Sequence, residues 1–549
     1  MHVRFAGWRL LACAATAASA LAFALYARVD WPWLILGWIG LVPWLAVLDR
    51  AATVRGTLGL AVLMCEAFVL AVFAWLPSAI QNYTGAPWVA ALAMVVVLAP
   101  LLQPQFITFA LARRLARASG FWCAVLVGAC AYVGTEWAFP KLFADTLGHG
   151  LFASALLRQA ADLAGAHGLT FALIVANECA LATLRAYAKT WVDGSPPYQG
   201  GVRGGFEVAC IAALVLGLLL YGAIRSRQFN DTSHRTDHVT VAVVQADITR
   251  YGELAASMGT YDAARLILDT HFALSTEALN RGAVDVLVWP ETVYPTTFGA
   301  PKSADGAAFD REIEAFAARA GVPLVFGAYE ADRGDEFNAA FFLQAATQGR
   351  ATFATYRKAS PFPLTERVPA WLDSDTVRHW LPWMGTWKPG TGGQVVSLSL
   401  HDGRTLRVAP LICYDALFPH HALAAVRQGA EMIVTVSNDS WFSFGNVPRL
   451  ILMISAFRSI ETRRPQVRAT NSGISAIITP TGEFLRTIGV DERGSLVAAV
   501  TPEDGAWSLM LAWGDWFGPA ALVGAAGVLS VLLARRFVPA RRRGIKFHG

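Results

Sequence analysis

The stretch Val408-Ala409-Pro410-Leu411-Ile412-Cys413-Tyr414-Asp415 decides the fold of the long polar section of this chain. An apolar run that ends in Cys-Tyr-Asp predicts a buried strand with a thiol at its carboxyl end, where loops and helix starts gather reactive groups. A packed core cysteine is the alternative, because free cysteine is among the most buried residue types. The surroundings of Cys413 decide between these two interpretations.

The other six cysteines differ from Cys413 in their surroundings. All of them fall inside long apolar runs: Cys13, Cys65, Cys123, Cys130, Cys179 and Cys210. A thiol in such a run normally behaves as a small hydrophobe. Cys413 is the only cysteine of the polar section, and the cysteine pattern therefore indicates neither a disulfide framework nor a redox compartment.

The composition is that of a protein held partly in a membrane. The 549 residues are 55 % hydrophobic and only 15 % charged, and the mean hydropathy is +0.43. Ordinary soluble domains are less apolar and more charged. The net charge of +5 is small for this length, and the basic residues cluster at the ends of apolar runs. This distribution indicates membrane topology and gives no footprint for nucleic acid.

Eight apolar runs have about the length that a membrane-spanning helix needs. They are residues 8–26, 31–48, 57–76, 88–112, 121–139, 169–184, 206–224 and 506–533. A cleaved signal peptide is an alternative for the first run, but the further runs favour a multi-span membrane domain. We therefore predict about eight spans, with a membrane domain at 1–227, a polar domain at 228–504, and a last span with a basic tail at 505–549.

The positions of Lys and Arg predict the orientation of these spans. One set of alternate connections carries Arg4 and Arg9, Arg50 and Arg55, Arg113, Arg114 and Arg117, Arg185, Lys189 and Arg203, and the basic C-terminal tail. The opposite connections are poorer in basic residues, and positive charge concentrates on the cytoplasmic side. We expect a protein of the bacterial inner membrane with both termini in the cytoplasm and residues 228–504 in the periplasm.

Acidic residues lie inside the apolar runs, among them Glu66, Glu136 and Glu178. Such groups are costly in hydrocarbon and must face protein or a water-filled cavity. The sequence leaves open whether they are functional or are paired with a neighbouring helix. The long connection at 140–167 predicts a re-entrant or interfacial segment near the outer surface.

The polar section alternates short β-branched runs with amphipathic helices. Predicted strands cover 239–245, 284–289, 323–329, 338–345, 406–412, 432–436, 467–470, 476–479 and 495–500, and predicted helices cover 261–280, 310–320 and 448–464. This order is typical of a layered α/β domain.

Three reactive groups follow predicted strands or precede loops in this domain: Glu291, Lys358 and Cys413. A glutamate can take the thiol proton, a lysine can hold a developing oxyanion, and the thiolate is the nucleophile. Each alone has a plain interpretation, Glu291 as a neighbour of a helix N-cap and Lys358 as a solvated surface charge. Together they predict nucleophilic catalysis at Cys413.

The order and flanks of these residues resemble the Glu-Lys-Cys triad of the nitrilase superfamily. The flanks are Val-Trp-Pro-Glu291-Thr, Tyr-Arg-Lys358 and Pro-Leu-Ile-Cys413-Tyr-Asp. The resemblance implies an α-β-β-α sandwich. A nitrilase-like domain before the last of eight spans is similar to the bacterial apolipoprotein N-acyltransferase family. Residues 437–442, 468–473 and 479–482 extend the similarity.

The resemblance implies acyl transfer through a thioester on Cys413, from a phospholipid to the N-terminal amine of a diacylated apolipoprotein. Glu291 would act as general base, and Lys358 with the next backbone N–H as oxyanion donor. Supporting roles fall on Glu366, eight residues after the lysine, and on Tyr414 and Asp415. No cofactor and no metal are implied, and the partners are the two lipid substrates and the bilayer, with a monomeric enzyme.

Aromatic residues near the triad are candidates for handling lipid. The resemblance gives Asn438, Trp441, Phe442 and Trp371 as substrate-binding residues. The alternative is that these aromatics belong to the domain core or anchor it at the membrane interface.

Several loops depart from the family pattern. Asp415 stands where the family usually has Glu, and residues 246–251, 360–366 and 445–449 also differ. These departures leave open an N-acyltransferase with another amine acceptor. A membrane-tethered amidase, in which water resolves the acyl-enzyme, is a further alternative. A receptor or scaffold with a degenerate domain is a third, although the intact triad weighs against it.

Overall fold

The structure, a computed structural model, describes residues 2–193, 197–230, 237–249, 251–344, 351–368, 372–380, 385–442 and 446–537. The N-terminal part is helical throughout. Its helices are α1 (His2–Tyr26), α2 (Leu36–Ile39), α3 (Val42–Leu48), α4 (Val54–Val72), α5 (Leu76–Thr84), α6 (Trp88–Leu102), α7 (Gln105–Ala116), α8 (Phe121–Ala138), α9 (Ala161–Asp193) and α10 (Pro197–Asn230).

Six helices among the described residues are long and apolar enough to cross a membrane. They are Gly7–Tyr26, Val54–Val72, Phe121–Ala138, Leu157–Lys189, Gly205–Phe229 and Phe517–Arg535. The bent pair α6 and α7 makes a seventh if it is one span, and Pro104 lies at the bend. The span predicted at 31–48 is a shorter apolar helix, Trp33–Leu48, in which a 3-10 turn is followed by α2 and α3. Pro43 lies in the first turn of α3, where the N–H that proline lacks would have no partner within the helix.

The C-terminal part contains two sheets. In chain order its elements are β1 (Val239–Gln245), α11 (Tyr251–Met258), α12 (Thr260–Asn280), β2 (Val286–Val288), β3 (Tyr294–Thr297), α13 (Ala304–Ala320), β4 (Leu324–Asp332), β5 (Asp335–Gln344), β6 (Thr352–Arg357), α14 (Asp375–Trp380), β7 (Val396–Ser399), β8 (Thr405–Ile412), α15 (Pro419–Arg427), β9 (Met432–Ser437), α16 (Val447–Thr462), β10 (Gln466–Thr470), β11 (Ser475–Ile478), β12 (Phe484–Ile488), β13 (Gly494–Val500), α17 (Leu509–Trp513) and α18 (Phe517–Phe537).

The two sheets pack face to face. The first has the order β13-β1-β2-β4-β5-β6 with β3 beside β4, and the second has the order β12-β11-β10-β9-β8-β7. Their shared core includes Val241 and Phe342 from the first sheet and Val408 and Val434 from the second. Helices α12 and α13 cover the outer face of the first sheet, and α15 covers that of the second. The predicted α-β-β-α sandwich is confirmed.

Helix α16 joins the two parts of the molecule. Its apolar residues, among them Ile454 and Phe457, belong to the same core as the membrane helices. Buried ion pairs extend the joint: Arg463, which follows α16, donates from Nη2 to Asp162 Oδ2 at 2.7 Å. The sandwich is therefore fixed against the membrane domain through one of its own helices.

Candidate active site

Glu291 lies directly after β2 and is 4 % exposed. Its Oε1 accepts hydrogen bonds from Lys358 Nζ at 2.9 Å and Asn338 Nδ2 at 2.7 Å. Its Oε2 accepts from the Asn438 backbone N–H at 2.7 Å. A Cβ on Gly327 would lie 2.5 Å from Glu291 Cα, so this close approach of two strands requires glycine. Three donors and a glycine thus hold the carboxylate in one place.

Lys358 follows β6 and is 2 % exposed. Its Nζ donates to Glu291 Oε1 and, at 2.8 Å, to Glu366 Oε1. Burial lowers the pKa of this ammonium, but the two carboxylates more than offset burial and the pKa lies well above its usual value. Lys358 is therefore a fixed positive charge.

Cys413 ends β8 and begins a 3-10 turn, Cys413–Leu417. Its φ is +48°, a left-handed conformation that is uncommon for a side-chain-bearing residue and is found at functional sites. Burial and the charge of Glu291 raise the pKa of the thiol, and Lys358 opposes them only in part. The resting sulfur is therefore a neutral thiol that needs a base.

The base has the matching property. Burial raises the pKa of Glu291 above its usual range, with Lys358 as the largest opposing influence. A carboxylate with a raised pKa is a stronger proton acceptor than an ordinary glutamate. The three predicted residues thus form one electrostatically coupled group, in which Glu291 can accept a proton and Lys358 supplies positive charge.

Glu366 and Asp415 both support this group. Glu366 Oε2 accepts from the Phe362 N–H at 2.7 Å, while its Oε1 binds Lys358. Asp415 is fully buried and accepts from Ser360 N at 2.7 Å and Tyr356 Oη at 3.0 Å, with longer bonds from Ala359 N and Ile412 N. Asp415 therefore ties the nucleophile turn to the strand and loop that carry Lys358.

Asn338 on β5 was not predicted from the sequence. Its amide donates to Glu291 Oε1 at 2.7 Å and to Glu366 Oε1 at 3.2 Å. The sequence signal for it is an amide that directly precedes the apolar run 339–343, a weak sign of a buried polar partner.

The predicted substrate-binding residues have different outcomes. Asn438 reaches the site through its backbone N–H on Glu291. The backbone of Trp441 and Phe442 lies in a 3-10 turn, Asp439–Phe442, that follows β9 and Asn438. Trp371 lies outside the described residues. The lipid-binding roles of all four stay predictions.

Comparisons with known proteins give a class and then a family. Residues 240–506 match the carbon-nitrogen hydrolase family model, so the sandwich belongs to the nitrilase superfamily. Residues 16–179 match the model of the apolipoprotein N-acyltransferase N-terminal domain. The chain belongs to the apolipoprotein N-acyltransferase family and is an acyltransferase.

The similar relatives extend over most of the chain. An apolipoprotein N-acyltransferase from Geobacter metallireducens is 26 % identical over 519 residues, covering 92 % of both chains. One from Bdellovibrio bacteriovorus is 27 % identical and covers 74 % of this chain and 72 % of its own. Among solved structures, an amidase of the nitrilase superfamily from Nesterenkonia is 21 % identical, with a TM-score of 0.35, and covers 48 % of this chain and 92 % of its own.

Proposed function

We propose that this chain transfers an acyl chain from a phospholipid, through a Cys413 thioester, to the N-terminal amine of diacylglyceryl-cysteine in apolipoproteins. The sn-1 chain of phosphatidylethanolamine is the proposed donor. One observation carries the proposal: Lys358 Nζ bonds both Glu291 and Glu366, and its positive charge acts on the thiol of Cys413, a residue with a positive φ. Family membership supports the lipid and lipoprotein substrates.

In the first half-reaction Glu291 takes the Sγ proton as the sulfur attacks the ester carbonyl carbon. The carbon–oxygen bond to the glycerol breaks, and the leaving alkoxide receives the proton from Glu291. The products are a thioester on Cys413 and a lysophospholipid. Because the resting thiol is neutral, proton removal and attack belong to one step.

The negative charge on the carbonyl oxygen needs donors during this attack. Lys358 and the backbone N–H of Tyr414 are the proposed oxyanion donors. Removal of one such donor typically costs about 3–4 kcal/mol of transition-state stabilisation. Glu366 holds Lys358 in position by accepting a hydrogen bond from it, and Asn338 holds Glu291 by donating one to it.

In the second half-reaction the neutral α-amine of the acceptor attacks the thioester carbon. The carbon–sulfur bond breaks, and Glu291 receives the proton that the nitrogen loses. Glu291 then passes this proton to the Cys413 thiolate, which restores the thiol. An amide is more stable than a thioester, so the transfer runs without a nucleotide. The departures from the family pattern in residues 246–251 and 445–449 support a role of these loops in acceptor choice.

The membrane arrangement is part of the proposal. We place the membrane domain at 1–227, the catalytic domain at 228–504 in the periplasm, and the last span with its basic tail at 505–549. The distribution of Lys and Arg supports both termini in the cytoplasm. Trp441, Phe442, Asn438 and Trp371 are the proposed lipid contacts, and the enzyme acts as a monomer.

A phospholipid carrying a labelled sn-1 chain tests the proposal. Wild-type protein in membranes should form a hydroxylamine-sensitive acyl adduct, and the label should then move to a diacylated lipopeptide as an amide. Cys413→Ala should form no adduct, and an adduct on that variant would overturn the mechanism. Adduct formation followed by release to water would favour an amidase, and adduct without transfer would indicate another amine acceptor.

A further inference from the structure

A short segment of the membrane domain, residues 141–145, contacts the active site at two points, Tyr414 beside Cys413 and Phe362 in the loop that follows Lys358. The Tyr414 hydroxyl, next to the nucleophile, donates to Leu142 O at 2.8 Å and to Lys141 O at 3.3 Å. The Phe143 ring lies 6.0 Å from the Phe362 ring, centroid to centroid. Phe362 in turn donates its N–H to Glu366, which binds Lys358. We call residues 141–145 the junction segment.

A buried lysine holds the junction segment in place. Lys141 Nζ lies 3.2 Å from Glu136 Oε1 at the end of α8 and 3.4 Å from Asp145 Oδ1. It also donates to the Asp145 carbonyl. The side chains of Lys141 and Glu136 are 5 % and 2 % exposed. The ion cluster therefore closes the segment into a loop whose carbonyls face Tyr414.

The charge balance of this cluster explains why Lys141 stays charged although it is buried. Burial lowers the pKa of Lys141, but Asp145 and Glu136 more than offset burial, and the pKa is raised. A buried charge is tolerated only when it is paired and hydrogen-bonded. The catalytic chemistry uses neither Lys141 nor Glu136, so their burial needs another explanation, and the contact with Tyr414 supplies one.

We propose that Lys141, with Glu136 and Asp145, is a positioning group of the active site that the membrane domain contributes. The cluster fixes the junction segment, the segment fixes Tyr414 and Phe362, and these fix the nucleophile turn against the Lys358–Glu366 loop. The inference rests on the proposed chemistry at Cys413. It gives the membrane domain a part in the reaction beyond holding lipid.

Two variants and their double combination test this inference in the full-length protein. Tyr414→Phe removes only the hydroxyl, and Lys141→Met removes the charge. Each should lower kcat for thioester formation about tenfold with KM for the phospholipid unchanged. The double variant should be no slower than the slower single variant, because both act through the same segment. Additive losses would overturn the proposal.

Matched controls separate positioning from general destabilisation. Tyr26→Phe removes a buried hydroxyl that donates at 2.8 Å to Leu147 O, outside the catalytic domain. Arg158→Met removes a buried charge that bonds Thr481 O at 3.0 Å, an interdomain contact that does not involve the triad. Both should keep kcat within about twofold of wild type. A tenfold loss of kcat in both controls would show that the loss in the Lys141 and Tyr414 variants comes from general destabilisation.

Two additional measurements keep the test decisive. If Lys141→Met does not fold, the paired change Glu136→Gln with Lys141→Gln removes both charges and should give the same loss of kcat. The rate of Cys413 alkylation by iodoacetamide needs no acyl transfer and should fall in parallel. If wild type forms no acyl adduct, the proposed function fails. Unchanged alkylation and kcat in folded Lys141 variants would refute the positioning role alone.

Discussion

Two buried lysines in this molecule each lie between two carboxylates. Lys358 bridges Glu291 and Glu366 in the catalytic domain, and Lys141 bridges Glu136 and Asp145 at the top of the membrane domain. Both are 5 % exposed or less as side chains. The local arrangement is the same, and only the first has the Cys413 thiol coupled to it. The proposed catalytic role of Lys358 therefore depends on its neighbour Cys413, which Lys141 lacks.

The comparison predicts unequal effects when the carboxylates are neutralised. Glu291→Gln removes the general base and leaves an amide that cannot accept the thiol proton. We expect kcat for thioester formation to fall about 10²- to 10⁴-fold, the usual contribution of general-base catalysis. Glu136→Gln, its counterpart in the membrane domain, should cost about tenfold or less. Single-turnover measurements with labelled phospholipid give both rates. Equal losses of rate in the two variants would contradict the distinction between a catalytic lysine cluster and a positioning one.

The buried carboxylate of Asp415 gives the next largest effect. Asp415→Asn replaces an acceptor of four hydrogen bonds by a group with one acceptor oxygen. A buried donor left without a partner costs about 1–3 kcal/mol, so we expect a lower melting temperature and a slower acylation step. Asp415→Glu keeps the charge and should retain more activity. Thermal unfolding in detergent, with acylation rates below the transition, separates the two effects.

The pH dependence of acylation should reflect Glu291. Burial raises the pKa of this carboxyl, and its protonated form cannot accept the thiol proton. Activity should therefore be full above the raised pKa and fall as the pH drops through it, at a pH above the usual glutamate value of about 4.3. Single-turnover rates of thioester formation at a series of pH values measure this decline. A decline centred on the ordinary glutamate pKa would contradict the raised pKa.

A half-exposed ion pair gives the smallest effect. Arg449 at the start of α16 pairs with Asp30 after α1, with side chains 42 % and 36 % exposed. Exposed pairs contribute about 0–1 kcal/mol. Arg449→Gln should thus change the free energy of unfolding by less than about 1 kcal/mol and leave kcat for thioester formation, a step that does not involve the acceptor, within twofold. A large loss of activity would show that this contact also positions the site.

The active-site residues could be predicted because each lies in a local pattern. Glu291 and Cys413 follow apolar strands, and Lys358 precedes a proline-rich loop in Tyr-Arg-Lys. Asn338 has no such pattern, and its role appears only when β5 lies beside β4 and β6. The start of α13 was placed too late at 310, because the capping Ser303 lies in a polar stretch before the apolar face begins.

The membrane domain was predicted less completely. Apolar length indicates a span, but it does not fix where a helix begins and ends, and the run at 31–48 forms the helix Trp33–Leu48, which is shorter than the six long helices. The roles of the embedded acids were left open. Glu178 pairs with Arg113, its Oε2 accepting from Nη2 at 2.8 Å, and Glu136 pairs with Lys141. These partners are not marked by any local motif.

Residue pattern alone was enough for the division into apolar helices and an α/β section, and it singled out Glu291, Lys358 and Cys413 as candidates for base, oxyanion donor and nucleophile. Those features depend on short-range periodicity and on residue chemistry. Only the tertiary structure decided which charges are buried together and that Tyr414 bonds to a carbonyl 272 residues away. The reason is physical: burial and ion pairing depend on distances between remote segments, which no local pattern records.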